Sequence, residues 1–229
     1  MENNVSGKAA DSVLKSLFRV GGVAALIMVA LVPIQIAAFV MAPQPASVAD
    51  WFTLLQNNEL LGLIRLDILL VVDYALFLPI FLALFFALRR TNESFIAIAT
   101  VLGFSGAVIY IASNPAFSML YLSNQYAATT ADAQRSMLVA AGQAMLANFG
   151  QGTSYVASYI LASIAPLIIS VIMLRSKIFS KATAYTGIVA NGLGLAIFVP
   201  IFGLYLSLIS VVILQVWLIL IALRLFKLT

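Results

Sequence analysis

The chain has 229 residues, of which 63% are hydrophobic and only 9% are charged, whereas soluble domains carry about 25% charged residues. This composition predicts an integral membrane protein, because so few polar side chains would leave a water-exposed globule largely apolar. The chain has no cysteine and no histidine, which argues against disulfides, zinc or haem sites and histidine-based catalysis. We therefore predict no metal site and no cofactor.

Six segments have about 20 apolar residues, the length that crosses a bilayer core as a helix. They cover about 20–42, 60–88, 95–120, 154–174, 184–202 and 206–226. The first is too long for the core of a cleaved secretory signal, so we expect it to remain in the protein as a span. No repeat or linker divides the chain. We predict an all-α, six-helix bundle over residues 1–229 as one membrane domain.

Two shorter segments are predicted to form helices in the external membrane interface. "SVADWFTLLQN" at 47–57 begins with a capping box, in which Ser47 and Asp50 satisfy each other's backbone N–H groups. The apolar residues that follow share one helical face: Val48, Trp51, Phe52 and Leu55. We expect Trp51 to lie at headgroup depth. The second segment, about 130–149, has an apolar part too short for a span and is interfacial or re-entrant.

The second span opens with "IRLDILLVVDY", which carries three charges. If 60–88 is one straight helix, Arg65 and Asp67 lie in the interface, and Asp67 shares a face with Tyr74. Asp73 then lies about 6 Å inside the hydrocarbon. Intramembrane carboxylates are usually functional, because a charge is costly there unless it meets a partner or a wet cavity.

The remaining polar residues of the spans are concentrated in their external halves. Together with the charges above, they predict an outward-facing polar pocket formed by Gln35, Arg65, Asp67, Asp73, Tyr74, Asn114, Gln143, Tyr155, Ser158 and Tyr159. The alternative is that these side chains only hydrogen-bond neighbouring helices, as polar residues in membrane helices commonly do.

The basic residues give the predicted orientation. With six spans, ten of the 12 lysines and arginines fall on one side of the membrane, and the positive-inside rule makes that side cytoplasmic. Both termini are then cytoplasmic and both short helices external. Only Arg65 and Arg135 fall elsewhere. This placement accounts for the net charge of +4 without nucleic-acid binding.

Several phrases occur in an order that resembles an uncharacterised family of bacterial six-helix membrane proteins, catalogued as a domain of unknown function. They include "LGLIRLDILLVVDY", "YIASNPAFSMLYLS", "GTSYVASYILASIAPLIISVIMLRS" and "TGIVANGLGLAIFVP", and they extend over nearly the whole chain. The resemblance implies a multi-pass protein of the bacterial cytoplasmic (inner) membrane. It implies no activity.

Three functions are compatible with these patterns. The first is binding or transport of a lipid, a small apolar molecule or an ion in the outward pocket; transport would require a homo-oligomer, because six spans without a repeat are few. The second is an accessory or scaffold protein without enzymatic activity. The third, which the sequence favours least, is an intramembrane enzyme using Asp67 and Asp73. The expected partners are the lipid bilayer, a lipid or small apolar ligand, and a second copy of the chain, but no nucleic acid.

Overall fold

The computed structural model describes residues 2–41 and 44–229, with side chains described over 12–40 and 44–229. The described part contains helices and no strands. The α-helices are α1 (Glu2–Met41), α2 (Val48–Asn57), α3 (Glu59–Arg65), α4 (Ile68–Leu88), α5 (Glu93–Ser113), α6 (Ala116–Ala128), α7 (Asp132–Gln151), α8 (Thr153–Met173), α9 (Lys181–Leu195) and α10 (Gly203–Phe226). A 3₁₀ helix, Ala196–Phe198, follows α9.

Five helical segments are long and apolar enough to cross a membrane. They are Ser12–Val40, Ile68–Leu88, Glu93–Ala128, Asp132–Met173 and Gly203–Phe226. The prediction of a multi-pass helical protein is confirmed to this extent. The segment predicted as the fifth span, about 184–202, contains only the 15 residues of α9 before the 3₁₀ helix. Since α9 alone is about 22 Å long, the count of six spans stays a prediction.

The chain divides into two compact units. Unit 1 comprises Met1–Val29, Ala75–Ala107 and Tyr159–Thr229, and unit 2 comprises Ala30–Tyr74 and Val108–Ser158. Each unit has its own apolar core. The prediction of a single domain over 1–229 is not tested by this division.

The core of unit 1 is built from large apolar side chains of α4, α8 and α10. Ile80, Ile169 and Trp217 are fully buried in it. α9 packs against α10, and the close approach depends on Gly187, because an added methyl group there would collide with Ser170 and the Trp217 indole. The small residue therefore lets α9 and α10 form a tight helical hairpin.

The core of unit 2 confirms the predicted capping box and apolar stripe of α2. The Ser47 hydroxyl accepts from the Asp50 N–H at 3.1 Å, and the Asp50 carboxylate accepts from the Ser47 N–H at 3.0 Å. The stripe residues Val48, Trp51, Phe52 and Leu55 are all buried with Met119 of α6. The Trp51 side chain is only 6% exposed and packs inside the protein, and its depth at the headgroups stays a prediction.

Two predicted spans are interrupted within their apolar runs, each near one end. The segment predicted at 60–88 forms α3 and α4, which are separated by Leu66 and Asp67. The expected shared face of Asp67 and Tyr74 is therefore wrong, because it assumed one continuous helix. The segment predicted at 95–120 likewise forms α5 and α6, separated by Asn114 and Pro115. Both breaks lie in unit 2, and they determine the geometry of the candidate site.

Candidate functional site

The two helix breaks are joined by one side chain. The Asn114 Nδ2 group donates to the Leu66 carbonyl at 2.9 Å, and its Oδ1 atom accepts from the Ala116 N–H at 3.0 Å. The carbonyls that end one helix and the N–H groups that begin the next have no partners within their helices. Asn114 therefore stabilises the break after α3 and the start of α6 at the same time.

Asp67 occupies the first of these breaks. Its φ angle is 61°, in the left-handed region that aspartate tolerates better than most residues. Its carbonyl accepts from the Val71 N–H at 3.1 Å, which makes Asp67 the N-cap residue of α4. Its Oδ1 atom accepts from the Gln35 side chain at 2.9 Å.

The Asp67 carboxyl is held in surroundings that favour its neutral form. Burial raises the pKa of Asp67 to about 6, against the smaller opposing effects of the Gln35 hydrogen bond and the Arg65 charge. An aspartate with this pKa titrates close to neutral pH, where an ordinary aspartate is fully ionised. The Asp67 side chain therefore exchanges between its neutral and ionised forms near pH 6.

Arg65, the last residue of α3, is buried instead of snorkelling into the interface. The side chain is 6% exposed, and its guanidinium lies 4.5 Å from the centroid of the Phe39 ring. One Nη1–H group donates to the Phe39 carbonyl at a long 3.4 Å, and the buried Nε–H group has no hydrogen-bond partner among the described residues. Burying a guanidinium costs free energy unless its donors are satisfied. Arg65 therefore carries unused capacity to bind an anion.

A cavity of about 230 Å³ lies against these two charged side chains. Aromatic and apolar side chains make up most of its wall, and Gln44 adds a polar group. The lining residues are Phe39, Gln44, Trp51, Arg65, Leu66, Asp67, Leu146, Phe149 and Gly150. Pockets for drug-sized ligands are about 300–1,000 Å³, so this one fits a smaller molecule and cannot enclose a whole phospholipid.

A row of aromatic rings continues from the cavity wall. The Tyr74 ring stacks on Tyr110 with centroids 4.1 Å apart, Tyr110 meets Phe149 edge-on at 6.2 Å, and Phe149 meets Tyr155 at 5.6 Å. Because Phe149 also lines the cavity, this row holds one wall of it in place. Tyr74 and Tyr155 are among the residues predicted from the sequence, whereas Tyr110 and Phe149 are not, because no polar pattern distinguishes them from core residues.

Asp73 is buried, with 1% of its surface exposed, and its Oδ1 atom has no hydrogen-bond partner in the described part of the chain. It is not one of the residues that line the cavity. The structure therefore places Arg65 and Asp67 at the cavity but not Asp73, on which the sequence prediction centred. A functional role for Asp73 stays a prediction.

The other predicted pocket residues do not line this cavity. Gln143 lines a separate surface groove with Arg135. The Ser158 hydroxyl donates to a carbonyl of its own helix, that of Tyr155, at 2.8 Å. Tyr159 belongs to unit 1, where its hydroxyl donates to the Gly194 carbonyl at 3.2 Å. Both hydroxyls thus make hydrogen bonds between or within helices.

The site has no acidic cluster of the kind that holds a metal ion. Among the residues whose side chains are described, no three carboxylate, histidine or cysteine side chains lie together in such a group. What the cavity offers is one buried cation, one titratable carboxyl and aromatic walls. Side chains of these kinds are suited to holding a small charged molecule.

The comparisons with known proteins give no relatives. No family model matches the chain, and no curated protein and no solved structure matches it.

Proposed function

We propose that this chain is a multi-pass protein of the bacterial cytoplasmic membrane that binds a small anionic or zwitterionic molecule in the unit 2 cavity. The observation that carries the proposal is Arg65, which is buried at the cavity wall with an unsatisfied Nε–H group. A carboxylate or phosphate of the ligand would accept from the guanidinium. Charge-assisted pairs of this kind are short and strong, and arginine is suited to them because its donors form a fixed, planar fork.

The surroundings of Arg65 support a role in ligand recognition more than a purely structural role. The Phe39 ring lies against the guanidinium as a cation–π partner, and Asp67 offers an acceptor for an ammonium or hydroxyl group of the same ligand. The volume of about 230 Å³ favours a molecule of amino-acid size over a lipid. Among the functions compatible with the sequence, the ion or small-molecule binder is therefore the one that the geometry supports best.

Arg65→Gln tests the proposal, and Arg135→Gln is its matched control. Arg135 lies in the same unit and also rests over an aromatic ring, Tyr126, at 5.2 Å, but its Nε–H donates to the Thr129 carbonyl and it does not line the cavity. Both variants lose one positive charge. Binding is measured on purified protein by thermal shift and calorimetry with acetate, inorganic phosphate and small neutral amino acids.

We expect a ligand from this set to stabilise the wild type and the Arg135→Gln variant, and Arg65→Gln to lose at least tenfold in affinity. Removing one partner of a buried charged pair costs about 2–5 kcal/mol, which is more than tenfold. Equal affinity of both variants would refute the site. Failure of the whole panel to bind wild type would favour the accessory-protein function instead.

The proposal includes six spans with both termini in the cytoplasm, so that the cavity faces outward. Support comes from the α9–α10 hairpin: α9 and the 3₁₀ helix together rise about 28 Å, close to the bilayer core of about 30 Å. Lys177, before α9, and Arg224, near the end of α10, line the same cavity. The basic ends of the hairpin therefore lie on one side, as the positive-inside rule requires.

The absence of cysteine makes this topology directly testable. Single cysteines at two exposed positions, Thr130→Cys and Ser94→Cys, are exposed to a membrane-impermeant maleimide in intact spheroplasts. We expect labelling of the first and protection of the second until the membrane is opened. The reverse pattern would invert the orientation, and labelling of both would contradict the proposed number of crossings between them.

A further inference from the structure

A second cavity, of about 410 Å³, lies in unit 1 at the basic end of the α9–α10 hairpin. Three cations line it: Lys177 from the segment before α9, and Arg224 and Lys227 from the end of α10. The wall also contains Ile178, Leu220 and Leu223. It therefore combines a positively charged part with an apolar part, and neither belongs to the unit 2 site.

The positive charge of this cavity is not neutralised by nearby sequence. No aspartate or glutamate occurs anywhere in residues 133–229. Arg224 has a buried Nε–H group with no hydrogen-bond partner in the described ranges. Lys181 differs, because its ammonium group donates to the Leu174 carbonyl at 2.7 Å and so caps the end of α8. Within the described ranges, Arg224 thus has a donor that an anionic ligand could use.

The beginning of α9 adds to this potential. Ser180 caps the helix by accepting from the Thr183 N–H at 3.1 Å, and both residues line the cavity. The N-terminus of a helix carries a partial positive charge and favours phosphate-like anions. Its contribution supplements the three cations and points to the same class of ligand.

The apolar part distinguishes a lipid from a free anion. Leu223 is 54% exposed on α10, a helix that is apolar enough to cross a membrane. Leu220 lies one turn before Arg224 and Leu223 immediately before it, so an acyl chain beside α10 would lie directly below a phosphate on Arg224. Inorganic phosphate would use only the cations.

We propose that this cavity binds one anionic phospholipid, with its phosphate on Arg224, Lys177 and Lys227 and an acyl chain along Leu220 and Leu223. Basic pockets between membrane helices on the cytoplasmic side are suited to such headgroups. The cavity volume fits a headgroup, and the half-buried Leu220 and exposed Leu223 continue the contact into the hydrocarbon. The lipid stabilises the hairpin by joining the segment before α9 to the end of α10.

The test is lipid retention by purified protein, measured by native mass spectrometry after exchange into phosphatidylglycerol or phosphatidylcholine. Lys177→Gln and Arg224→Gln each remove one cation from the cavity. Arg175→Gln is the matched control, because Arg175 is exposed in the same unit but lines a different, mainly apolar cavity. Lys177 is exposed, so its substitution leaves the core intact even if Arg224→Gln fails to fold.

We expect wild type to retain phosphatidylglycerol over phosphatidylcholine, and each cavity variant to lose about fivefold in retention, as removal of about 1 kcal/mol per cation implies. The control should change by less than twofold. Equal losses in Arg175→Gln and Lys177→Gln would overturn the site in favour of diffuse surface charge. Thermal protection by inorganic phosphate equal to that by the lipid would overturn the lipid as ligand.

Discussion

Replacing Asp67 by asparagine removes the charge of this side chain and keeps its shape. The amide oxygen can still accept the Gln35 hydrogen bond, which is 2.9 Å long in the wild type. Asparagine also tolerates the positive φ angle of 61° at this position. The substitution therefore isolates the free energy that results from holding an ionised carboxylate at the start of α4.

The direction in which Asp67 changes stability with pH follows from the direction of its pKa change. Burial raises the pKa of Asp67 in the folded protein to about 6, from an ordinary value of 3.8. A raised pKa means that the folded protein binds the proton more tightly than the unfolded chain does, so stability is greatest below pH 3.8 and falls as the pH rises through about 6. Above that range the ionised Asp67 destabilises the fold, whereas the amide of the Asp67→Asn variant has no charge to bury.

The destabilisation by ionised Asp67 has an upper limit of about 3 kcal/mol, since the pKa difference is about 2 and each pKa unit corresponds to about 1.4 kcal/mol. Asp67 is partly exposed, so solvent screening reduces the expected gain to about 1–2 kcal/mol. For a chain of this size, each kcal/mol moves the unfolding midpoint by about 2–4 °C.

The assay is thermal unfolding of wild type and Asp67→Asn in the same detergent from pH 4 to pH 8. We expect the variant to unfold at a higher temperature at pH 8 and the two curves to converge towards pH 4. Asp67→Ala serves as the control: it also removes the charge but loses the Gln35 bond and the tolerance for positive φ, so it should unfold at a lower temperature than Asp67→Asn at every pH. A difference between wild type and Asp67→Asn that does not depend on pH would refute the reasoning.

Three further predictions concern packing and the limits of the site. Asn114→Ala should lower the free energy of unfolding by about 2–4 kcal/mol, because it leaves unpaired groups at two helix breaks. Replacing the exposed Asn124 by alanine should change the free energy of unfolding little in the same thermal unfolding assay. Equal losses in the two variants would contradict the role of Asn114. Gly187→Ala should cost about 1–3 kcal/mol through collision with the α10 indole. Gly192→Ala, with open space around the added methyl, should be neutral or stabilising in chemical unfolding, so a loss there as large as at Gly187 would refute the packing argument. Asp73→Asn should leave ligand affinity at the unit 2 cavity within twofold by calorimetry, because Asp73 does not line it; a tenfold loss would place Asp73 in the site.

The apolar runs and the cap of α2 were predictable because their signals are local. The length of each apolar run is enough to find most of the helices that could cross a membrane. The spacing of Ser47 and Asp50 identifies where α2 begins. The break at Asn114 also has a local signal, since the residue before a proline disfavours helix. That signal is outweighed in the sequence because the apolar run continues beyond Pro115 and favours one long span.

The break at Asp67 and the burial of Arg65 have no comparable signal. The Leu66 carbonyl is satisfied by Asn114, a residue 48 positions away, and Arg65 is covered by Phe39, 26 positions away. Depth counted along one straight helix includes neither partner, so it assigns Arg65 to the interface and selects Asp73 as the unusual charge. Tertiary contacts place Arg65 at the cavity wall and Asp73 away from it.

The broken helices explain why the charges that line the cavity lie where they do. Irregular backbone inside a protein is stable only where its N–H and C=O groups find partners, and at Leu66 that partner is Asn114. An uninterrupted helix through residues 65–67 would have placed Arg65 and Asp67 on different faces, since they are two residues apart. The turn between α3 and α4 instead brings both side chains to one cavity. Discontinuous membrane helices form ion and substrate sites in transporters by the same principle, and a helix break beside a buried, unsatisfied arginine therefore favours ligand binding over a purely structural role.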